Sequence, residues 1–128
     1  MESVPIKSKL TCTDENIIYV ISCEKDNGDC AKVHPQYVGE TGHSAKWRCS
    51  RHLGTITNDS QVDTTVPVGV HFRMPGHSHS DLKFLPIEKI FSKNPFVRKV
   101  RETFYIKQYQ TLKSKNVNVI EHGLNLKF

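Results

Sequence analysis

The apolar positions of this chain fall into short blocks separated by polar, turn-rich stretches, and the spacing within the blocks changes along the sequence. The run "NIIYVISC" (16–23) is almost continuously β-branched and aromatic and has strand length, which predicts a strand. "EKDNGDC" follows, and its Asn27-Gly28 pair is a hairpin-loop signal. A second strand is expected over about residues 36–40, entered through Pro35. From Ser44 to about Leu53 the pattern is helical with a basic face, and "GTITNDSQVDTTVPVG" then reads as a loop with room for a short turn. "DLKFLPIEKI" gives a third extended segment, in which Pro86 marks an edge position or a bulge. Pro95 suits a first helical turn and opens a long helix expected to reach about Lys113. Residues 1–13 read as a flexible polar lead-in, and the tail "VNVIEHGLNLKF" is irregular after a strand-like start.

The order is therefore strand, strand, helix, strand, helix, with the first pair antiparallel. It predicts a small α/β (α+β) fold, a three-stranded antiparallel or mixed sheet flanked by helices. At 128 residues the chain has room for one domain, expected over 14–128.

The late helix carries two apolar stripes. On a projection of about 100° per residue, Val97, Val100 and Phe104 form one, and Glu102, Tyr105, Ile106 and Tyr109 form another nearly opposite. Lys99, Thr103 and Gln110 fill a narrow polar sector between them. Two apolar faces predict a helix covered on both sides. Glu102 then sits among aromatic and aliphatic neighbours and needs a partner. Arg98, one turn earlier, is one choice and a divalent cation is another.

Composition narrows the class only a little. Apolar residues make up 37% and charged residues 24%, which is ordinary for a globular chain. The net charge of +5, with a pI of about 9.1, suits a polyanionic partner such as nucleic acid. No apolar run approaches membrane-spanning length and no basic-then-apolar leader opens the sequence, so an intracellular, reducing setting is expected. The four cysteines are then metal ligands or small buried residues rather than disulfides. Cys23 and Cys30 flank the expected hairpin loop, and His71 and His77 share a later loop. Two thiolates and two imidazoles form a tetrahedral zinc set. His34 and His79 are alternative ligands, while Cys12 and Cys49 find no partner in this scheme.

Six features stand in a telling order: "IIY" (17–19), "YVG" (37–39), Arg48, His52, "RE" (101–102) and "GLN" (123–125). In order and spacing the chain resembles the GIY-YIG nucleases, from about residue 16 to residue 126. Within them it is most similar to the endonuclease domain of Penelope-like retroelements. "YVGETG", the cysteine pair between the two tyrosine motifs and "HFRMPGHSHSD" carry that closer likeness. One departure is Ile17, which stands where the family has glycine.

The resemblance implies a metal-dependent DNA endonuclease, nicking DNA for target-site cleavage in the nucleus, with a reverse transcriptase domain as partner in a longer polyprotein. It assigns the catalytic cation, magnesium or manganese, to Glu102. A single carboxylate with several waters suits such an ion. Arg48 would hold phosphate oxygens with its planar fork. Tyr19 or Tyr37 would orient or activate the water, and a cation and a guanidinium nearby would favour the phenolate. His52 would take up or relay the proton, and Asn125 would brace the site. Cys23, Cys30, His71 and His77 would hold a structural zinc. The competing expectation is a zinc-stabilised nucleic-acid-binding module without catalysis. It would use the same basic surface and the same cysteines and histidines, but it has no need of Glu102 or the tyrosines. A nuclease of the same fold serving repair or homing is a third.

Overall fold

The computed structural model describes residues 10–58, 60, 66–113 and 123–126. The first nine residues and the strand-like run at 117–122 lie outside them. Strand β1 (Ile17–Cys23) is buried along its whole length, as its unbroken apolar run requires of a central strand. It is flanked by β2 (Gln36–Thr41) and β3 (Leu82–Lys89) in the order β2-β1-β3, and both pairings are antiparallel. The fold is a small α+β domain in which helices cover both faces of this three-stranded sheet.

The β1–β2 connection is longer than a two-residue hairpin turn. It carries the short helix α1 (Cys30–Val33), and Gly28 adopts φ 70° in the turn before it. Helix α2 runs Ala45–Thr57, past the expected end at Leu53. Gly54, Thr55 and Thr57 are weak helix formers, but Ile56 packs into the core and carries the helix one more turn. The stretch read as loop also holds helix α3 (Pro67–Phe72), whose Val68 and Phe72 are buried. The N-cap Ser44 accepts the Trp47 amide, and the carbonyls of Asp14 and Cys12 accept the amides of Ala45 and Lys46 at 3.0 and 2.7 Å. The described end of the lead-in therefore satisfies the first donors of α2.

Pro86 pairs with Tyr19 where the register slips between Ile18 and Tyr19, so the proline sits at a bulge on an edge strand, as expected. Helix α4 (Pro95–Tyr109) starts where predicted, with the Asn94 side chain accepting the Phe96 amide. It stops short of Lys113 because Gln110 turns to φ 54° and ψ 49°. Thr111 and Lys113 bond instead to Asn125.

Alternation along β1 divides the core. Ile18 and Val20 face α4 with Val38, Ile87, Tyr105 and Ile106. Ile17, Tyr19, Ile21 and Cys23 face α2 and α3 with Ala45, Ile56, Val68 and Phe72. Ile17 is thus a fully buried core residue. Among the described residues only one side of α4 is covered, contrary to the expectation from its two stripes: Val97 packs on the core, but Val100 and Phe104 are 50% and 42% exposed. Arg101 lies over the Phe104 ring and gives that stripe partial cover from its own helix.

One close approach positions the rest. Tyr19 pairs with Gly39 across the β1–β2 ladder, and its ring lies over the glycine Cα. A Cβ at residue 39 would collide with the Tyr19 ring and hydroxyl. Gly39→Ala should therefore cost about 1–3 kcal/mol of stability in denaturant unfolding. In a double-mutant cycle with Tyr19→Leu the combined loss should be smaller than the sum of the two single losses; simple additivity would show that the ring does not need the glycine.

Candidate functional site

Five of the six residues singled out from the motifs converge from both layers of the fold. Tyr19 on β1 and Tyr37 on β2 lie on the same face of the sheet, with ring centroids 6.4 Å apart. Arg48 and His52 come from successive turns of α2. The His52 ring stands edge-on to both tyrosines, at 5.6 Å and 5.8 Å. Phe84 of β3 stacks on Tyr19 at 4.6 Å and fixes the plane of its ring.

The Tyr19 hydroxyl is the meeting point. Arg48 Nε donates to it at 3.1 Å, and His52 Nε2 lies 2.8 Å from it. With its oxygen accepting from Arg48, the phenol gives its own proton to His52, so we assign Nε2 as the acceptor of a neutral imidazole. Burial, reinforced by Arg48, pushes the His52 pKa down to about 3. The imidazole is therefore neutral at any pH near 7, with Nε2 able to accept the hydrogen bond of the phenol.

The tyrosines ionise less readily than the charges nearby would suggest. Burial raises Tyr19 well above the usual phenol range, and Tyr37 raises it further; Arg48 opposes both without prevailing. Tyr37 is raised by burial first and by Glu102 second. The expected stabilisation of a phenolate by the guanidinium is thus outweighed by loss of water, and both groups rest as phenols.

Glu102 is buried on α4, in the layer across the sheet, and burial raises its pKa above the ordinary carboxylate value. Its charge is felt by both tyrosines and by Arg48. The partner proposed from helical spacing is elsewhere: Arg98 bonds Glu40 at 2.7 Å and Asn16 at 3.1 Å. Lys99 Nζ instead stands 3.4 Å from Glu102 and 3.9 Å from Glu40. Glu40, passed over in the sequence although it lies within "YVGETG", therefore belongs to this cluster. Its place beside the motif tyrosine was the only signal.

Asn125 lies apart from the hydroxyl cluster and braces it. Its Oδ1 accepts the Val38 amide at 2.8 Å and the Thr111 hydroxyl at 2.6 Å, while Nδ2 donates to the Val38 carbonyl at 2.8 Å. One buried amide thereby closes the outer edge of β2 next to Tyr37.

A second cluster forms at the end of β1. Cys23, Cys30, His71 and His77 bring their ligand atoms within 4.8 Å of one another. Cys30 Sγ lies 3.7 Å from His71 Nε2 and 3.4 Å from His77 Nε2. Tetrahedral zinc, with bonds of about 2.0–2.3 Å, places its ligand atoms roughly 3.3–3.8 Å apart, so these four side chains can hold a metal ion and are compatible with zinc. The Pro75 carbonyl lies 3.4 Å from His77 Nδ1, on the ring nitrogen away from Cys30. Burial pushes Cys23 up to about 12 and His71 down to about 4, so a metal entering here must displace thiol protons. Of the alternative ligands, His34 bonds the Cys23 carbonyl and Glu24, and His79 is exposed on a separate turn. Cys12 and Cys49 line a different cleft, of about 350 Å³, between the lead-in, α2 and β3.

No protein-family model, curated protein or solved structure matches the chain.

The low pKa of His52 has a consequence for stability. Between its unfolded value of 6.5 and its folded value of about 3, the unfolded chain binds the extra proton, so stability falls as pH drops through that window. One such proton contributes a slope of up to about 1.4 kcal/mol per pH unit. Unfolding free energies measured from pH 7 to pH 4 should fall less steeply for His52→Gln than for the native chain, by about that amount. Equal slopes would refute the neutral, buried imidazole.

Proposed function

We propose that the chain is a metal-dependent DNA endonuclease of the GIY-YIG type, nicking one strand at a time in the manner of the Penelope-like retroelement nucleases. In that setting it works in the nucleus beside a reverse transcriptase domain. The observation that carries the reading is the Tyr19 hydroxyl held between Arg48 and His52, with Tyr37 and the buried Glu102 within electrostatic reach. A module that only binds nucleic acid has no use for a buried phenol hydrogen-bonded to a neutral imidazole.

Phosphodiester hydrolysis needs an activated water and charge stabilisation on phosphorus. Arg48 spends Nε on Tyr19, which leaves its Nη groups for phosphate oxygens. Of the two tyrosines, Tyr37 is only partly buried and would orient the water, while Tyr19, fully buried and resting as a phenol, would hold Arg48 and His52 in place. A divalent cation, magnesium or manganese, would neutralise charge developing on the phosphate. Glu102 and Glu40 would hold it, and the Lys99 ammonium between them marks a place that favours positive charge. Zinc in the Cys23, Cys30, His71 and His77 cluster would tie β1, α1 and α3 together and take no part in the chemistry.

Wild-type protein should nick supercoiled plasmid when magnesium is supplied. Arg48→Ala and Glu102→Gln should each cut at least about a hundredfold more slowly while unfolding at near-native temperature. Full activity in both variants would overturn the assignment.

Zinc has its own test. Protein purified without chelators should carry about one equivalent by metal analysis, and Cys30→Ser or His77→Ala should lower both zinc content and melting temperature, with His79→Ala affecting neither. Zinc-free native protein would remove the structural metal and leave the nuclease reading intact.

A further inference from the structure

The outer surface of α2 carries an arrangement that the hydroxyl cluster does not use. His43, Trp47 and Arg51 recur at helical spacing and are all exposed, with Trp47 at 41%. The His43 ring stacks on the indole, centroid to centroid 3.8 Å and 26° from parallel, and the Arg51 guanidinium lies 5.4 Å from the indole centroid. This is a ladder of three flat groups that starts just before the N-cap of α2 and continues along its first two turns.

Its surroundings indicate what it meets. Helix α2 contains no acidic residue, and exposed Lys46 stands beside the ladder. Arg48, which follows Trp47 directly, reaches the Tyr19 hydroxyl. A flat aromatic and guanidinium surface in a cationic setting fits a polyanion that carries its own flat rings. Paired bases inside a duplex have both faces covered by their neighbours, whereas an unpaired base offers a free face. With His43 already stacked on the indole at 3.8 Å, an incoming ring is laid on the end of the ladder or takes the place of the Arg51 guanidinium, which stands off at 5.4 Å. The pre-stacked indole loses little rotamer freedom.

We propose that His43, Trp47 and Arg51 form a stacking platform for unpaired nucleobases, which directs the chain to DNA with single-stranded character next to the cleaved phosphate. The inference rests on the nuclease reading, because α2 also supplies Arg48 and His52 to that site. It sharpens the substrate class from DNA to DNA at a bubble, a flap or a displaced strand. Lys46 and Arg48 would track the backbone while the ladder takes the bases.

Trp47 is the single tryptophan of the chain, so its fluorescence reads the platform directly. The full chain, with no magnesium added, is titrated with a duplex oligonucleotide carrying a central bubble of unpaired thymines, with the same duplex fully paired, and with heparin. The bubble should quench the emission strongly and bind about tenfold more tightly than the paired duplex, and heparin should bind without comparable quenching. By anisotropy of labelled DNA, Trp47→Phe should keep most of the preference for the bubble and Trp47→Ala should lose it. Equal quenching by bubble, duplex and heparin, or an unchanged preference in Trp47→Ala, would overturn the platform. Plasmid nicking alongside such a result would leave the nuclease standing without the platform. Bubble-specific quenching by a protein that never nicks plasmid would do the reverse.

Discussion

A buried phenol hydroxyl must be hydrogen-bonded, and much of this structure follows from satisfying the one on Tyr19. Left alone, such a group costs about 1–3 kcal/mol. Here one helix supplies both partners, Arg48 as donor and His52 as acceptor, from adjacent turns. That requirement sets the rotation of α2 about its axis and its height over the sheet. It also needs room for the ring, which Gly39 provides by having no side chain, and a rigid backing, which Phe84 provides by stacking. The imidazole is held neutral by the burial that makes the bond worthwhile.

The two faces of the sheet have been put to different uses. The α4 face is a core of aliphatic residues with Tyr105, and α4 adds the buried Glu102 to it. The α2–α3 face mixes apolar packing with the tyrosines, His52 and, at the far end of β1, the Cys/His cluster. Tyr19 and Cys23 lie four residues apart on one extended strand, so the two clusters are separated by about 13 Å. That distance keeps the Cys/His site out of any chemistry at the phenol, while β1 ties both to the same rigid element. A metal there would act on the fold by joining the end of β1 to α1 and α3.

Much of this arrangement could be read along the chain where local physics decides it. The unbroken run of β1, the Pro95 start of α4 and the proline at a β3 bulge were legible because each depends on neighbours only a few residues away. The ends of helices were not. Ile56 prolongs α2 because a core pocket takes its side chain, and α4 stops at Gln110 because Thr111 and Lys113 bond to Asn125. Glu102 shows the same limit. Helical spacing offered Arg98 as its partner, but Arg98 is drawn to Glu40 and Asn16 on other elements. Neither Glu40 nor the exposed stripe of Val100 and Phe104 could be placed without the fold.

The sequence by itself determined which residue types were at hand: two motif tyrosines, an arginine and a histidine one helical turn apart, a late carboxylate, and two pairs of soft ligands. Periodicity settled which of these share a strand or a helix face, since backbone geometry repeats over a few residues. Only the tertiary structure decided that the Tyr19 hydroxyl bonds to His52, that burial outweighs Arg48 in setting the state of the phenols, and that Cys23, Cys30, His71 and His77 stand within metal-binding distance. Those outcomes depend on distance and on loss of water, and both are created by packing between segments far apart in the chain.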